Sequence, residues 1–198
     1  MTSLNDVLDR FRPGPPSGAI KLSVLGAPGM GKSSLTVRLS EALGVPLIAE
    51  IARDFHSRGR ALGPDSSIET QLLMMLAQIA VESKLVHFVA DRTVYDPIIH
   101  VDAVAAYNGT PRPDLALNCM ANYLANGHGA KYSEVFVLIH ADVHKQDSVR
   151  ETDPRYVSLV HEKTLYWLKA LNVQHVVVEG DMESQWTQAR KLLGCDGK

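Results

Sequence analysis

The sequence predicts an α/β domain built on a parallel sheet with helices on both faces. Three observations predict it. Short apolar runs of strand length alternate with longer segments of helical periodicity, the pattern of repeated crossover connections. The length of 198 residues suits one compact domain. A glycine-rich turn, Gly26 to Gly31, separates the first apolar run from the first periodic segment, at the strand end where such sheets bind ligands.

Each element has its own signal. Residues 1–18 read as an N-terminal extension: Leu4, Val7, Leu8 and Phe11 mark a short amphipathic helix, and Pro13 to Gly18 is rich in breakers. The folded body is expected over residues 19–198. Ala19 to Leu25 is an apolar run with a glycine behind it, a buried strand. Lys32 to Leu43 carries Leu35, Leu39 and Leu43 on one helical face. Val45 to Ala49 is a second strand, and Ile51 to Leu62 and Ile68 to Ser83 are helices. Leu85 to Ala90 is a third strand, followed by helices over Tyr95 to Tyr107 and Asp114 to Asn126. Glu134 to His140 is a fourth strand. Asp153 to Leu171 is a long helix with Leu159, Leu165, Trp167 and Leu168 inward. Val173 to Val178 is a fifth strand, and Met182 to Leu193 closes the chain as a helix.

Composition narrows the class. Hydrophobic residues make up 45% and charged residues 21%, which excludes a disordered, collagenous or coiled-coil chain. Lys and Arg number 20 against 22 Asp and Glu, a net charge of −2, so no global basic excess draws nucleic acid. Cys119 and Cys195 lie far apart, with neither metal-ligand nor disulfide spacing, and are expected as free buried thiols. No stretch approaches the roughly 18 apolar residues of a membrane span, and no signal-peptide pattern opens the sequence. A cytoplasmic protein is expected, in the host cytoplasm if viral.

The most specific signal is Gly26-Ala27-Pro28-Gly29-Met30-Gly31-Lys32-Ser33, a full match to G-x-x-x-x-G-K-[ST] between a predicted strand and a predicted helix. Glycines let successive backbone N–H groups turn toward one anion. The helix start, with Ser34 in its first turn, adds its positive end. Lys32 is placed to reach the β- and γ-phosphates of ATP, and Ser33 to offer a hydroxyl to Mg2+. The third predicted strand leads into Asp91-Arg92. A carboxylate there lies beside the loop, where it can hold Mg2+ through water or accept a hydroxyl proton.

On these residues the chain resembles the P-loop kinases of the thymidylate-kinase-like group, and is similar to nicotinamide riboside kinase domains, over roughly residues 19–195. The resemblance implies a three-layer P-loop NTPase fold with strand order 2-3-1-4-5 and a short lid over residues 141–155. It implies that Arg92 helps hold the phosphoryl acceptor. It also implies that Glu50 and Arg53, an acidic residue followed by an arginine, face that acceptor. Glu50 is a second candidate base beside Asp91, and the choice stays open; the alternative for Glu50 and Arg53 is a surface i,i+3 ion pair. Asp147-Ser148-Val149-Arg150 resembles an Asp-Gly-x-Arg lid, departing from it at Ser148. Arg150 is the first choice for a lid charge on the transferring group and Arg155 the second. His140, Asp142 and His144 have alternating spacing, but the segment reads as lid and not as a metal site. Arg53, His56, Arg58 and Arg60 form a local basic cluster that favours an anionic acceptor.

The expected activity is transfer of the γ-phosphoryl group of ATP, with Mg2+, to a nucleotide-type acceptor. That acceptor is a deoxynucleoside monophosphate, or 5-hydroxymethyluracil within DNA as in phage DNA-modifying kinases. The alternatives are a nicotinamide-riboside-kinase-like small-molecule kinase and a non-transferring regulatory NTP-binding module. A GTP switch fits poorly: His144-Lys145-Gln146-Asp147 lacks the first residue of a guanine-reading motif, and no glycine follows Asp91 by three. The oligomeric state, a homodimer included, is left open.

Overall fold

The structure, a computed structural model, describes residues 18–128, 132–139 and 153–193. Within them five strands form one parallel sheet: β1 (Lys21–Leu25), β2 (Leu47–Ile48), β3 (Phe88–Asp91), β4 (Glu134–Ile139) and β5 (Val176–Glu179), in the order β2-β3-β1-β4-β5. The expected order is the observed one. Seven α-helices connect them: α1 (Lys32–Leu43), α2 (Ile51–Ser57), α3 (Ile68–Glu82), α4 (Asp96–Asn108), α5 (Asp114–Tyr123), α6 (Pro154–Ala170) and α7 (Met182–Leu192).

The sheet has a core on each face, and strand alternation sorts side chains between them. In β4, Phe136 and Leu138 pack with Leu35 and Leu39 of α1 and Ala189 of α7. Val135 and Val137 point the other way, into a larger core with Ile98 of α4, Leu117 of α5 and Tyr156 and Trp167 of α6. Because both faces are covered, β4 reads as an unbroken apolar run. The register Val24↔Asp91 and Val24↔Phe136 brings the ends of β1 and β3 level, so the loops leaving them adjoin.

Several boundaries differ from expectation for local reasons. Helix α2 stops at Ser57, not Leu62, because Gly59 turns to φ 81° and Arg60 N–H returns to the Phe55 carbonyl. Strand β3 starts at Phe88 because Lys84 and Leu85 are still bonded back to Val81 and Glu82. Strand β5 starts at Val176 because Asn172 takes a left-handed φ of 51° after α6. Helix α5 ends at Tyr123 and passes into a wide turn over Leu124–His128. Cys119 is exposed, not buried, since α5 turns Leu117 and Met120 inward. In α6 the inward stripe is Tyr156, Val157, Val160, Thr164, Trp167 and Leu168, with Leu159 and Leu165 half-buried beside it. The expected N-terminal helix, Cys195 and most of the expected lid lie outside the described residues. Among the described residues no helix is long and apolar enough to cross a membrane.

Candidate active site

The glycine-rich loop joins β1 to α1, and its backbone needs glycine at two points. At Gly26, φ is 147° and an added Cβ would lie 2.9 Å from the Leu138 carbonyl. At Gly31, which caps α1 with φ 83°, a Cβ would meet Met182 Cε at 2.7 Å. The loop is thus pressed between β4 and α7, and larger residues would force it open. Lys32 is fully buried and its Nζ donates to the Ala27 carbonyl at 2.8 Å, arching across the loop. A buried ammonium inside a curl of backbone amides is a cradle for a polyphosphate.

Beside the loop, Ser33 Oγ donates to Asp91 Oδ2 at 2.5 Å. Asp91 is buried, and among the described residues its Oδ1 has no hydrogen-bond partner. A hydroxyl and a carboxylate with an unused buried oxygen form the hard-oxygen donor set that Mg2+ takes.

Arg92 follows at φ 90°, a costly conformation for a side chain with a Cβ. It is held there from both ends. Its N–H donates to Val24 O at 3.1 Å, and its carbonyl accepts from Ser23 Oγ at 2.7 Å. The guanidinium donates from Nε to Glu50 Oε1 at 2.7 Å and from Nη1 to Asp96 Oδ1 at 3.0 Å. Nη1 also lies 3.1 Å from His100 Nε2. A guanidinium has five N–H donors, so these contacts use Nε and both hydrogens of Nη1.

The charges around Arg92 interlock. Burial pulls its pKa down, but Glu50, Asp96 and Asp91 outweigh that and raise it. Burial raises the Asp96 carboxyl above its usual range, against the pull of Arg92 and the Thr93 N–H. His100 is driven down to about 3 by burial and by the nearby Arg92 and Lys32 cations, so its ring is neutral. Its Nδ1 lies 2.9 Å from Tyr156 Oη in the first turn of α6.

These groups wall a cleft next to the phosphate loop. Its lining includes Pro28, Glu50, Arg53, Arg92, Asp96 and His100 on one side and Gln71, Met74 and Gln78 of α3 on another. Glu50 and Arg53 do make the i,i+3 pair, at 3.1 Å, yet Glu50 reaches Arg92 as well. Of the basic cluster Arg53 alone lines the cleft among the described residues; Arg58 pairs with Asp54, both exposed, and half-buried Arg60 pairs with exposed Glu69. Arg155 lies over the Tyr107 ring at 5.2 Å, next to Asp153, which caps α6 and accepts from Tyr107 Oη at 2.6 Å. His140, Asp142, His144 and the Asp147–Arg150 motif lie outside the described residues.

Sequence reading therefore brought together Gly26 to Ser34, Glu50, Arg53, Asp91 and Arg92. It passed over Asp96, His100, Gln71, Gln78 and Tyr156. The available signal was polarity out of place: His100 and Asp102 sit in the apolar run of α4, and Gln71 and Gln78 lie two turns apart in the apolar α3.

Comparison with known proteins bears on the fold. The AAA domain family profile matches residues 21–185. No curated protein matches the sequence. Among solved structures, the deoxyadenosine kinase of M. mycoides with dCMP and dCDP bound aligns at 17% identity and TM-score 0.66, over 88% of this chain and 99% of that one. The thymidylate kinase of Candida albicans aligns at 16% identity and TM-score 0.65, over 89% and 92%. The NadR protein in complex with NR aligns at 15% identity and TM-score 0.71, over 88% of this chain and 50% of that one. These likenesses establish a shared fold with small P-loop kinases.

Proposed function

The chain belongs to the AAA domain family, and on that footing we propose that it is a kinase transferring the γ-phosphoryl group of ATP to a hydroxyl of an uncharged, nucleoside-type acceptor. The observation that carries the reading is the cleft beside the phosphate loop, where Glu50 and Arg92 meet at 2.7 Å. The loop amides and Lys32 hold the polyphosphate. Ser33 and Asp91 hold Mg2+, which when bound neutralises charge on the phosphate oxygens. Arg92 and Glu50 orient the acceptor.

One contrast supports assigning different roles to the two carboxylates that sequence alone left undivided. Asp91 faces Ser33, whereas Glu50 lines the cleft. Glu50 is therefore the acceptor's proton partner. Both its oxygens accept from arginines, Oε2 from Arg53 Nε and Oε1 from Arg92 Nε, which hold the carboxylate in place at the cleft wall. In the transfer, the acceptor oxygen forms a bond to Pγ, the bond from Pγ to the bridging oxygen breaks, ADP leaves, and the hydroxyl proton passes to Glu50. Positioning and electrostatics supply most of the acceleration in such reactions.

The charge balance supports a choice of acceptor class. The charged residues of the cleft are Arg53 and Arg92 against Glu50 and Asp96, two formal charges of each sign, already paired. Among the described residues a phosphate-bearing acceptor would meet no surplus of positive charge in the cleft, which favours a neutral nucleoside over a nucleotide or a DNA strand. The deoxyadenosine kinase, a similar fold, is named for a nucleoside acceptor. The test offers γ-labelled ATP to the deoxynucleosides, nicotinamide riboside, deoxynucleoside monophosphates and DNA containing 5-hydroxymethyluracil. Label in a nucleoside 5′-monophosphate is the expected result. Label in a diphosphate or in DNA would return the acceptor to the anionic class, and no label anywhere would reject a kinase.

A further inference from the structure

Gln78 and Glu82 stand one turn apart on α3, and Gln78 Nε2 donates to Glu82 Oε1 at 2.7 Å. The same Glu82 oxygen accepts from Tyr132 Oη at 2.7 Å. The direction of that bond is fixed independently. Tyr132 Oη already accepts the backbone N–H of Val94 at 2.9 Å, and a backbone N–H cannot accept, so the tyrosine hydrogen is free for Glu82. Glu82 Oε1 is thus an acceptor twice over, and Gln78 must turn its amide nitrogen toward it. Gln78 lines the cleft, and with its nitrogen committed to Glu82 its carbonyl is the polar atom left over, with no bonded partner among the described residues. Two turns earlier on the same helix, Gln71 repeats the pattern. Its Nε2 donates to Ser66 Oγ at 2.9 Å, and its buried Oε1 has no partner among the described residues.

We propose that Glu82 is a positioning residue that sets the hydrogen-bonding sense of this wall: it holds the Gln78 carbonyl toward the acceptor, so that the group bound there must offer an N–H, as the amino group of an adenine- or cytosine-type base does. The inference rests on the nucleoside reading above and adds to it the polarity by which the base is read. An acceptor left unpaired once a ligand excludes water from the cleft is costly, and a ligand N–H pairs it, whereas a ligand carbonyl at the same place would face another carbonyl.

The carboxyl group's own surroundings make the device sensitive to pH. Glu82 is 3% exposed, and its Oε2 has no partner among the described residues. Burial pushes its pKa up to about 7, against the bonds from Gln78 and Tyr132. Lys21 of β1 pulls it down and Asp96 of α4 pushes it up. The ionised carboxylate can only accept, which pins Gln78 in one sense. Once protonated, the carboxyl can also donate, the Gln78 amide can turn over, and the wall loses its polarity.

The test compares matched nucleosides that differ at one group, deoxycytidine with deoxyuridine and deoxyadenosine with deoxyinosine. The ratio of kcat/KM within each pair is measured with labelled ATP from pH 6 to 8, since a ratio cancels titrations common to both substrates. The wild type is expected to prefer the amino member by about tenfold or more at pH 8, the scale of one buried hydrogen bond against an unpaired acceptor. The preference is expected to shrink as pH falls below about 7. Glu82→Gln should give a smaller ratio that no longer changes with pH. Gln78→Leu should give a ratio near one at every pH, and it carries the test alone if Glu82→Gln does not fold. Equal use of both members by the wild type, or a pH-dependent ratio unchanged in Glu82→Gln, overturns the proposal and leaves the kinase reading standing. If none of the four nucleosides is phosphorylated, the nucleoside reading fails and this proposal fails with it.

Discussion

Arg92 Nη1 lies 3.1 Å from His100 Nε2, and this contact fixes the state of the histidine. An arginine has no acceptor to offer, so Nε2 must be the unprotonated nitrogen. The hydrogen is then on Nδ1, which faces Tyr156 Oη at 2.9 Å. His100 thus takes the second hydrogen of Nη1 and ties Arg92 to the start of α6. Replacing it leaves that hydrogen unpaired and lets the guanidinium rotate.

His100→Phe is therefore expected to raise KM for the acceptor about tenfold, the scale of one unpaired buried donor, with KM for ATP little changed. His100→Gln should recover much of the loss, because its carbonyl can accept from Nη1. Steady-state kinetics in both substrates check this. A change in KM for ATP equal to that for the acceptor would place His100 in general packing and not in orienting Arg92.

Lys32→Ala should abolish transfer while the protein stays folded. The side chain is fully buried with its ammonium at the Ala27 carbonyl, so it contributes charge inside the loop and not a surface contact. Alanine is well tolerated at a helix start. Circular dichroism and Tm should be close to wild type, with turnover reduced by at least about a thousandfold, as for loss of a principal electrostatic group. Near-normal turnover by the folded variant would remove Lys32 from the proposed site.

What the sequence made legible follows a physical division. The alternation of β1, α1 and β4 was readable because apolar periodicity records which faces are covered, and the loop from Gly26 to Ser33 was readable because its glycines serve a local backbone need. The pairing of Glu50 with Arg92, 42 positions apart, was not readable, since local spacing carries no record of which strand ends become neighbours. Resemblance supplied the strand order that brings them together. Arg58 and Arg60 looked like partners of Arg53 by proximity in sequence, but the early end of α2 at Ser57 separates them from the cleft. Tyr156 was invisible as a cleft residue because it reaches His100 from 56 positions away.

Stability should respond to pH through Glu82. Its folded pKa of about 7 lies above the ordinary value of 4.5, so between those values the folded state binds more protons than the unfolded state. By linkage, its contribution to stability falls as pH rises through that window. Glu82→Gln has no such titration. The difference in unfolding free energy between Glu82→Gln and wild type should therefore move in favour of the variant from pH 4.5 to 7, by an amount on the order of a few kcal/mol. Denaturant unfolding at several pH values measures it. A difference that is flat with pH would mean that Glu82 does not titrate in this range. His100, depressed to about 3, acts oppositely below pH 6.5 but is common to both proteins and drops out of the difference.

The last prediction separates Arg150 from Arg155, the two arginines that are candidates for a charge on the transferring group. Arg155 is in the first turn of α6, with its guanidinium over the Tyr107 ring at 5.2 Å and its N–H bonded to Asp153. That placement gives it a packing role at the helix start. Arg150 lies outside the described residues, and its candidacy rests on the Asp147–Arg150 motif. If Arg150 supplies charge to the transferring phosphoryl group, its effect belongs to the transition state, and removing such an interaction lowers kcat more than it raises KM. Arg150→Ala should leave Tm nearly unchanged, weaken ATP binding only modestly and lower kcat by about a hundredfold or more. Lysine at that position should recover only part, because it lacks the planar two-pronged donor. Arg155→Ala should instead lower Tm slightly, through loss of the ring contact, and leave kcat within a few fold of wild type. The opposite pattern, with kcat collapsing only in Arg155→Ala, would transfer the catalytic charge to Arg155 and remove Arg150 from the site.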